Sequence, residues 1–128
     1  MTPETRGAPR QAALLRVYAL ASDRFEGRAL TTAIVGAARE AKLAGATVLP
    51  AIMGYGRHGS ETALSVALYQ PENQPMIVEL VDDVERILAF LPTLRAMNTE
   101  GRLTTVERLE VRSYRSGSEL GPTPADGA

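Results

Sequence analysis

Pro75-Met76-Ile77-Val78-Glu79-Leu80-Val81, running through Asp82-Asp83 into Val84-Glu85-Arg86-Ile87-Leu88-Ala89-Phe90-Leu91, decides the fold. The first seven residues are rich in β-branched and apolar side chains and open on a proline, which reads as a strand. The two aspartates then start a helix. With Asp82 as N-cap, Glu85 takes the third helical position, the spacing of a capping box. Val84, Ile87, Leu88, Leu91 and Leu94 or Arg95 line one helical face. Pro92 removes the bond to the carbonyl of Leu88 and predicts a kink. Asn98 to Gly101 stops the helix.

Upstream the same alternation of elements recurs. Leu14 to Leu20 reads as a strand with Leu15, Val17 and Ala19 on one side and Arg16 and Tyr18 on the other. Ser22 to Gly27 is a polar connector. Leu30 to Leu43 is an amphipathic helix with Leu30, Ile34, Ala37, Ala38 and Ala41 on its apolar face, and Gly45 ends it. Gly36 inside it predicts close packing. Ala46 to Met53 is a strand whose Pro50 cannot donate to a ladder, which points to an edge position or a bulge. Downstream, Leu103 to Tyr114 is a last strand. Residues 61–69 fit neither period cleanly. The order predicts an α+β, ferredoxin-like βαββαβ fold: a four-stranded antiparallel sheet with two helices on one face. Leu14, Tyr18, Met76, Val78 and Leu80 are expected on the other face, as an oligomer surface. The expected division is a flexible tail over 1–13, one domain over 14–115 and a flexible tail over 116–128.

The bulk properties narrow the function. The chain has 128 residues, 45 % hydrophobic and 23 % charged, with net charge −1, so it suits one core and lacks a basic nucleic-acid footprint. Aromatic residues are 5 %, with no Trp, which argues against a stacking platform for single strands. The absence of cysteine removes disulfides, thiol catalysis and most structural zinc sites. No membrane span and no signal-peptide pattern is present, so a cytoplasmic protein that does not insert into membranes is expected.

Candidate chemistry concentrates at one junction. Gly54-Tyr55-Gly56-Arg57-His58-Gly59 follows a strand and matches G-x-G-x-x-G, but no long helix opens after it, so the dinucleotide fingerprint fails on context. A plain turn or an anion-binding nest of backbone N–H groups remains. Arg57, Arg102, Arg112 and Arg115 are the cations that would serve such a site. His58, Ser60 and Glu61 are too close in sequence for triad geometry, and His58 reads as a solvated loop residue. Asp82 and Asp83 are explained by the helix start. Without a credible nucleophile or acid/base pair, no enzyme is expected.

The blocks Leu15-Arg16-Val17-Tyr18, Ser22 to Leu30, Ala44 to Val48 with Ile52 to Gly56, and Pro75 to Asp82 with Ile87 to Pro92 resemble the PII-like family known as domain of unknown function 190. More widely the chain is similar to the PII signal-transduction proteins. That resemblance implies a homotrimer that binds an adenine nucleotide, or another small anionic ligand, in clefts between subunits. It also implies a loop over 55–75 that signals to an unidentified protein partner, a membrane transporter being one candidate. Gly54-Tyr55-Gly56-Arg57 looks like the base of that loop, with His58 and Gly59 where PII proteins carry Gln and Lys. Glu100-Gly101-Arg102-Leu103 is similar to the phosphate-facing loop before the last strand. Arg112 and Arg115 lie where PII proteins place arginines, three residues apart here and one apart there. The implied ligand set is therefore Gly54, Gly56, Arg57, His58, Gly101, Arg102, Arg112 and Arg115. The alternatives are a ligand-independent trimeric interaction module and a metal-responsive trimer like the divalent-cation tolerance proteins. One histidine and no cysteine weigh against the metal.

Overall fold

A computed structural model describes residues 9–54 and 74–112 of the chain. Strand β1 (Arg10–Leu20) leads into a hairpin of β2 (Arg24–Phe25) and β3 (Arg28–Ala29), then helix α1 (Leu30–Glu40) and strand β4 (Gly45–Pro50). Strand β5 (Pro75–Asp83) passes directly into helix α2 (Val84–Met97), and β6 (Leu103–Val111) closes the order. The four long strands form one antiparallel sheet in the order β4-β5-β1-β6. This is the expected ferredoxin-like α+β fold, with Pro50 on an edge strand as its missing donor requires.

The core forms between the helices and one sheet face. Leu15 and Val17 of β1, Val78 and Leu80 of β5, Leu30 and Ile34 of α1 and Ile87 of α2 are at most 1 % exposed. Here the register corrects an expectation. Val78 lies opposite Val17 and Leu80 opposite Leu15, and directly opposed residues share a face. Val78 and Leu80 therefore belong to the core, and Met76, opposite Ala19, points to the same side. The face away from the helices carries Leu14, Tyr18, Ile77, Val81 and Leu103 around a charged centre. At that centre Arg16 pairs with Glu79 at 2.9 Å and Glu107 at 3.1 Å. The helical face of α2 is corrected likewise: Ile87, Phe90, Leu94 and Met97 are buried, whereas Leu88 is exposed. The helix runs through Pro92, which is exposed, so water can satisfy the carbonyl it leaves unpaired.

Helix α1 ends before Gly45. Lys42, at φ 62°, takes the left-handed position usually held by glycine. The Leu43 N–H donates to the Ala38 carbonyl and the Lys42 N–H to the Arg39 carbonyl, both at 3.0 Å. This is a Schellman termination. Gly36 meets nothing within 4 Å of a modest added methyl group, so the expected close packing is absent. Gly36→Ala should stabilise the fold by about 0.5–1 kcal/mol through the helix-propensity difference, read as a raised melting temperature.

Asp82 is not the helix cap. The cap position falls on Asp83, which makes no side-chain cap bond. Asp82 is fully buried and accepts from the Ala44 N–H at 3.0 Å, the Asp83 N–H at 2.6 Å and Arg86 Nε at 2.9 Å. Arg86 in turn donates through Nη2 to the carbonyls of Ala41 and Lys42, both at 2.9 Å. The start of α2 is thus tied to the end of α1.

Candidate functional site

The antiparallel order brings four strand termini to one end of the sheet: the exits of β4 and β1 and the entries of β5 and β6. The Ala51 N–H donates to the Pro75 carbonyl and the Ala21 N–H to the Gln74 carbonyl, both at 2.9 Å, which laces these termini together. Gly54 follows the exit of β4. A Cβ built on it would lie 3.6 Å from Cγ of Pro75, an ordinary contact, so the Gly54 backbone sits beside the first residue of β5.

Arg102 precedes β6 at the same end, about two strand spacings, or roughly 10 Å, from the entry of β5. Its Nε donates to Asp23 Oδ2 at 2.8 Å and its Nη2 to Asp23 Oδ1 at 2.6 Å, a bidentate pair. The two side chains are 7 % and 3 % exposed. Asp23 Oδ2 also accepts from the Leu20 N–H at 2.8 Å. The arginine backbone is fixed as well. Asn98 Oδ1 accepts from the Arg102 N–H at 2.8 Å, and Asn98 Nδ2 donates to the Arg102 carbonyl at 2.9 Å. Gly101 stands inside this clasp at φ 71°, a backbone conformation that costs a residue with a Cβ about 1–2 kcal/mol.

The connector after β1 is a structured hairpin. Glu26 at φ 51° and Gly27 at φ 84° form the two central positions of a type I′ turn. The Asp23 carbonyl accepts from the Leu30 N–H at 2.8 Å, so the residue that pairs Arg102 also holds the start of α1.

The other expected site residues fall elsewhere. Arg112 follows β6 at the far end of the sheet, about 30 Å from Arg102 along an extended strand. It is exposed and pairs with Glu110 at 2.9 Å. One chain therefore does not bring Arg112 to Gly54 and Arg102. Gly56, Arg57, His58 and Arg115 lie outside the described residues. Asp23 and Asn98 are the residues missed from sequence. The Asn98-to-Arg102 spacing of a helix stop was readable, but nothing local marks Asp23 as the partner of a residue so distant in the chain.

A crevice of 160 Å³ lies between the end of α1 and α2, lined by Ala41, Leu43, Arg86, Ala89, Phe90 and Thr93. It is smaller than the roughly 300 Å³ at which small-molecule pockets begin, and too small for a nucleotide. Among the described residues no group of three or more His, Asp or Glu is placed to hold a metal ion. No helix among them is long and apolar enough to cross a membrane.

Comparison with known proteins agrees with the fold. Residues 12–111 match the model of the DUF190 family, described as an uncharacterized ACR. A UPF0166 protein of Aquifex aeolicus is 33 % identical over 99 residues, which cover 77 % of this chain and 90 % of the relative. The UPF0166 protein MJ1524 of Methanocaldococcus jannaschii is 35 % identical over 88 residues, covering 66 % and 76 %. Among solved structures, a PII-like signalling protein of Thermus thermophilus superposes with a TM-score of 0.56 at 20 % identity, covering 80 % of this chain and 91 % of that one. CPII from Thiomonas intermedia, solved with ADP, AMP and acetate bound, gives a TM-score of 0.54 at 14 % identity, covering 80 % and 90 %. Both likenesses are likenesses of fold.

Proposed function

Because the chain belongs to the DUF190 family and has a PII-like fold, we propose that it is a regulatory protein that binds an adenine nucleotide and breaks no bond. The observation that carries this function is that Gly54 and the Gly101-Arg102 junction stand at the same end of the sheet, the two junctions that the PII resemblance marks as ligand-facing. Binding of ADP and AMP by CPII, a protein of the same fold, supports the choice of ligand. Gly54 and Gly101 would admit the phosphates close to backbone, and Arg102 would offset their charge.

A ligand set that includes both Arg102 and Arg112, as the PII resemblance implies, requires a site shared between copies of the chain. Arg102 and Arg112 stand at opposite ends of β6, so one ligand that touches both must lie between two protomers. A homotrimer with its ligands in the inter-subunit clefts meets that requirement. The bound nucleotide would bias the segment 55–75 and so alter its fit to a protein partner.

Calorimetric titration of the full chain with ATP, ADP and AMP, together with its molar mass from light scattering, tests this. Saturable heat with at least one nucleotide and a mass of three chains are expected. No heat with ATP, ADP, AMP or cyclic nucleotides would overturn the function.

A further inference from the structure

We infer that Asp23 is a positioning residue of the nucleotide site, one that orients the Arg102 guanidinium toward phosphate; this rests on the nucleotide-binding function proposed above. The geometry is more restrictive than a strand junction needs. Asp23 takes the Nε and Nη2 edge of the guanidinium through both of its oxygens, at 2.8 and 2.6 Å, and so fixes the plane of the group. The carboxylate is itself held by the Leu20 N–H at 2.8 Å. The backbone of Asp23 is held on both sides: its N–H donates to the Leu20 carbonyl at 3.0 Å, and its carbonyl accepts from the Leu30 N–H at 2.8 Å. At the other partner, Asn98 clasps both the N–H and the carbonyl of Arg102. The Arg102 side chain cannot swing without leaving both oxygens of Asp23, and the Asp23 carboxylate cannot swing without also leaving the Leu20 N–H.

A buried ion pair is a poor way to gain stability, because desolvation of the two charges offsets much of their attraction. What a bidentate carboxylate provides and an apolar neighbour cannot is a fixed direction for the guanidinium. Binding sites gain affinity when the contacting group is already oriented by its supporting neighbours. The pair stands at the sheet end that also holds Gly54, where such orientation has a use.

Positioning and mere neutralisation predict opposite signs. If Asp23 only cancelled the Arg102 charge, removing its own charge would strengthen the binding of an anion. If Asp23 orients Arg102, removing its charge weakens binding, because an asparagine amide cannot accept through both of its atoms.

The test compares wild type, Asp23→Asn and Asp23→Glu as full chains. ADP and adenosine are titrated by calorimetry well below each variant's melting temperature. Asp23→Glu keeps the charge but moves the carboxylate by one methylene, and it carries the test if Asp23→Asn does not fold. Either variant should bind ADP about tenfold more weakly, the loss expected for one charge-assisted hydrogen bond, while its affinity for adenosine stays unchanged. Tighter ADP binding in Asp23→Asn, equal losses for ADP and adenosine, or no change in either variant overturns the positioning role. If wild type itself binds neither ADP nor adenosine, the nucleotide-binding function fails and the inference falls with it. A wild type that binds beside variants that do not change defeats the inference alone.

Discussion

Asp82→Ala is expected to lose about 3–5 kcal/mol of folding stability, the cost of breaking a buried ion pair by removing one partner. The carboxylate has no exposed surface and three donors converge on it: the Ala44 N–H, the Asp83 N–H and Arg86 Nε. Alanine leaves all three without their acceptor. The damage also spreads along the chain. Arg86 stitches the carbonyls of Ala41 and Lys42 to α2, and without Asp82 its guanidinium loses the contact that sets its height above the helix end. The connection between α1 and β4 would then loosen against the start of α2. A small domain is stable by only about 5–15 kcal/mol, so this one change removes a large share of the total. For a domain of this size each kcal/mol moves the melting temperature by about 4–8 °C, so a fall of more than about 10 °C is expected by circular dichroism. Arg86→Met should cost less, since Asp82 keeps two backbone donors. A melting temperature for Asp82→Ala within a few degrees of wild type would show that Asp82 does not brace these elements.

The contrast between Asp82 as a local signal and Asp82 in the fold shows what was legible in the sequence. Element order follows from periodicities of two and 3.6, and the family of fold follows from the order. Pro50 marks an edge because a missing donor is a property of one residue. Asp82-x-x-Glu85 is likewise a local pattern, but the partner that claims Asp82 is the Ala44 N–H on another element, and no local spacing reveals it. The face of β5 was readable with one further step. Glu79 is the polar marker in an otherwise apolar run, and it meets Arg16 on the face away from the helices, which places Val78 and Leu80 in the core. The Glu26-Gly27 hairpin was hidden, because Glu26 is not a residue that favours positive φ and each flanking strand has only two residues. Within the candidate site, Gly54 drew attention by its place after a strand, and Gly101 and Arg102 by the resemblance of their loop to that of the PII proteins. Their supports, Asp23 and Asn98, were not. The type of a residue does not say which buried partner it will find.

Arg102→Met is expected to lose about 3–5 kcal/mol, because Asp23 stays buried after its cation has gone. This bears directly on function. Weak nucleotide binding by a variant at Arg102 has two causes that a binding assay alone does not separate: a lost phosphate contact and a loosened sheet end. A double-mutant cycle separates them. Asp23→Leu alone strands the guanidinium in the same way and should cost a similar amount. The combined Asp23→Leu, Arg102→Met chain removes both charges and fills the space with apolar volume. Its stability should sit only about 1–3 kcal/mol below wild type, the residual reflecting the Leu20 N–H left without its acceptor. The two losses are then far from additive, as residues in direct contact require. Urea denaturation with an unchanged slope measures each corner of the cycle. Additive losses would mean that the pair contributes nothing as a pair. Once the double variant is shown to be folded, its affinity for ADP reports on the guanidinium itself. Binding as tight as wild type would remove Arg102 from the site, and a loss of ADP binding in a stable chain would keep it there.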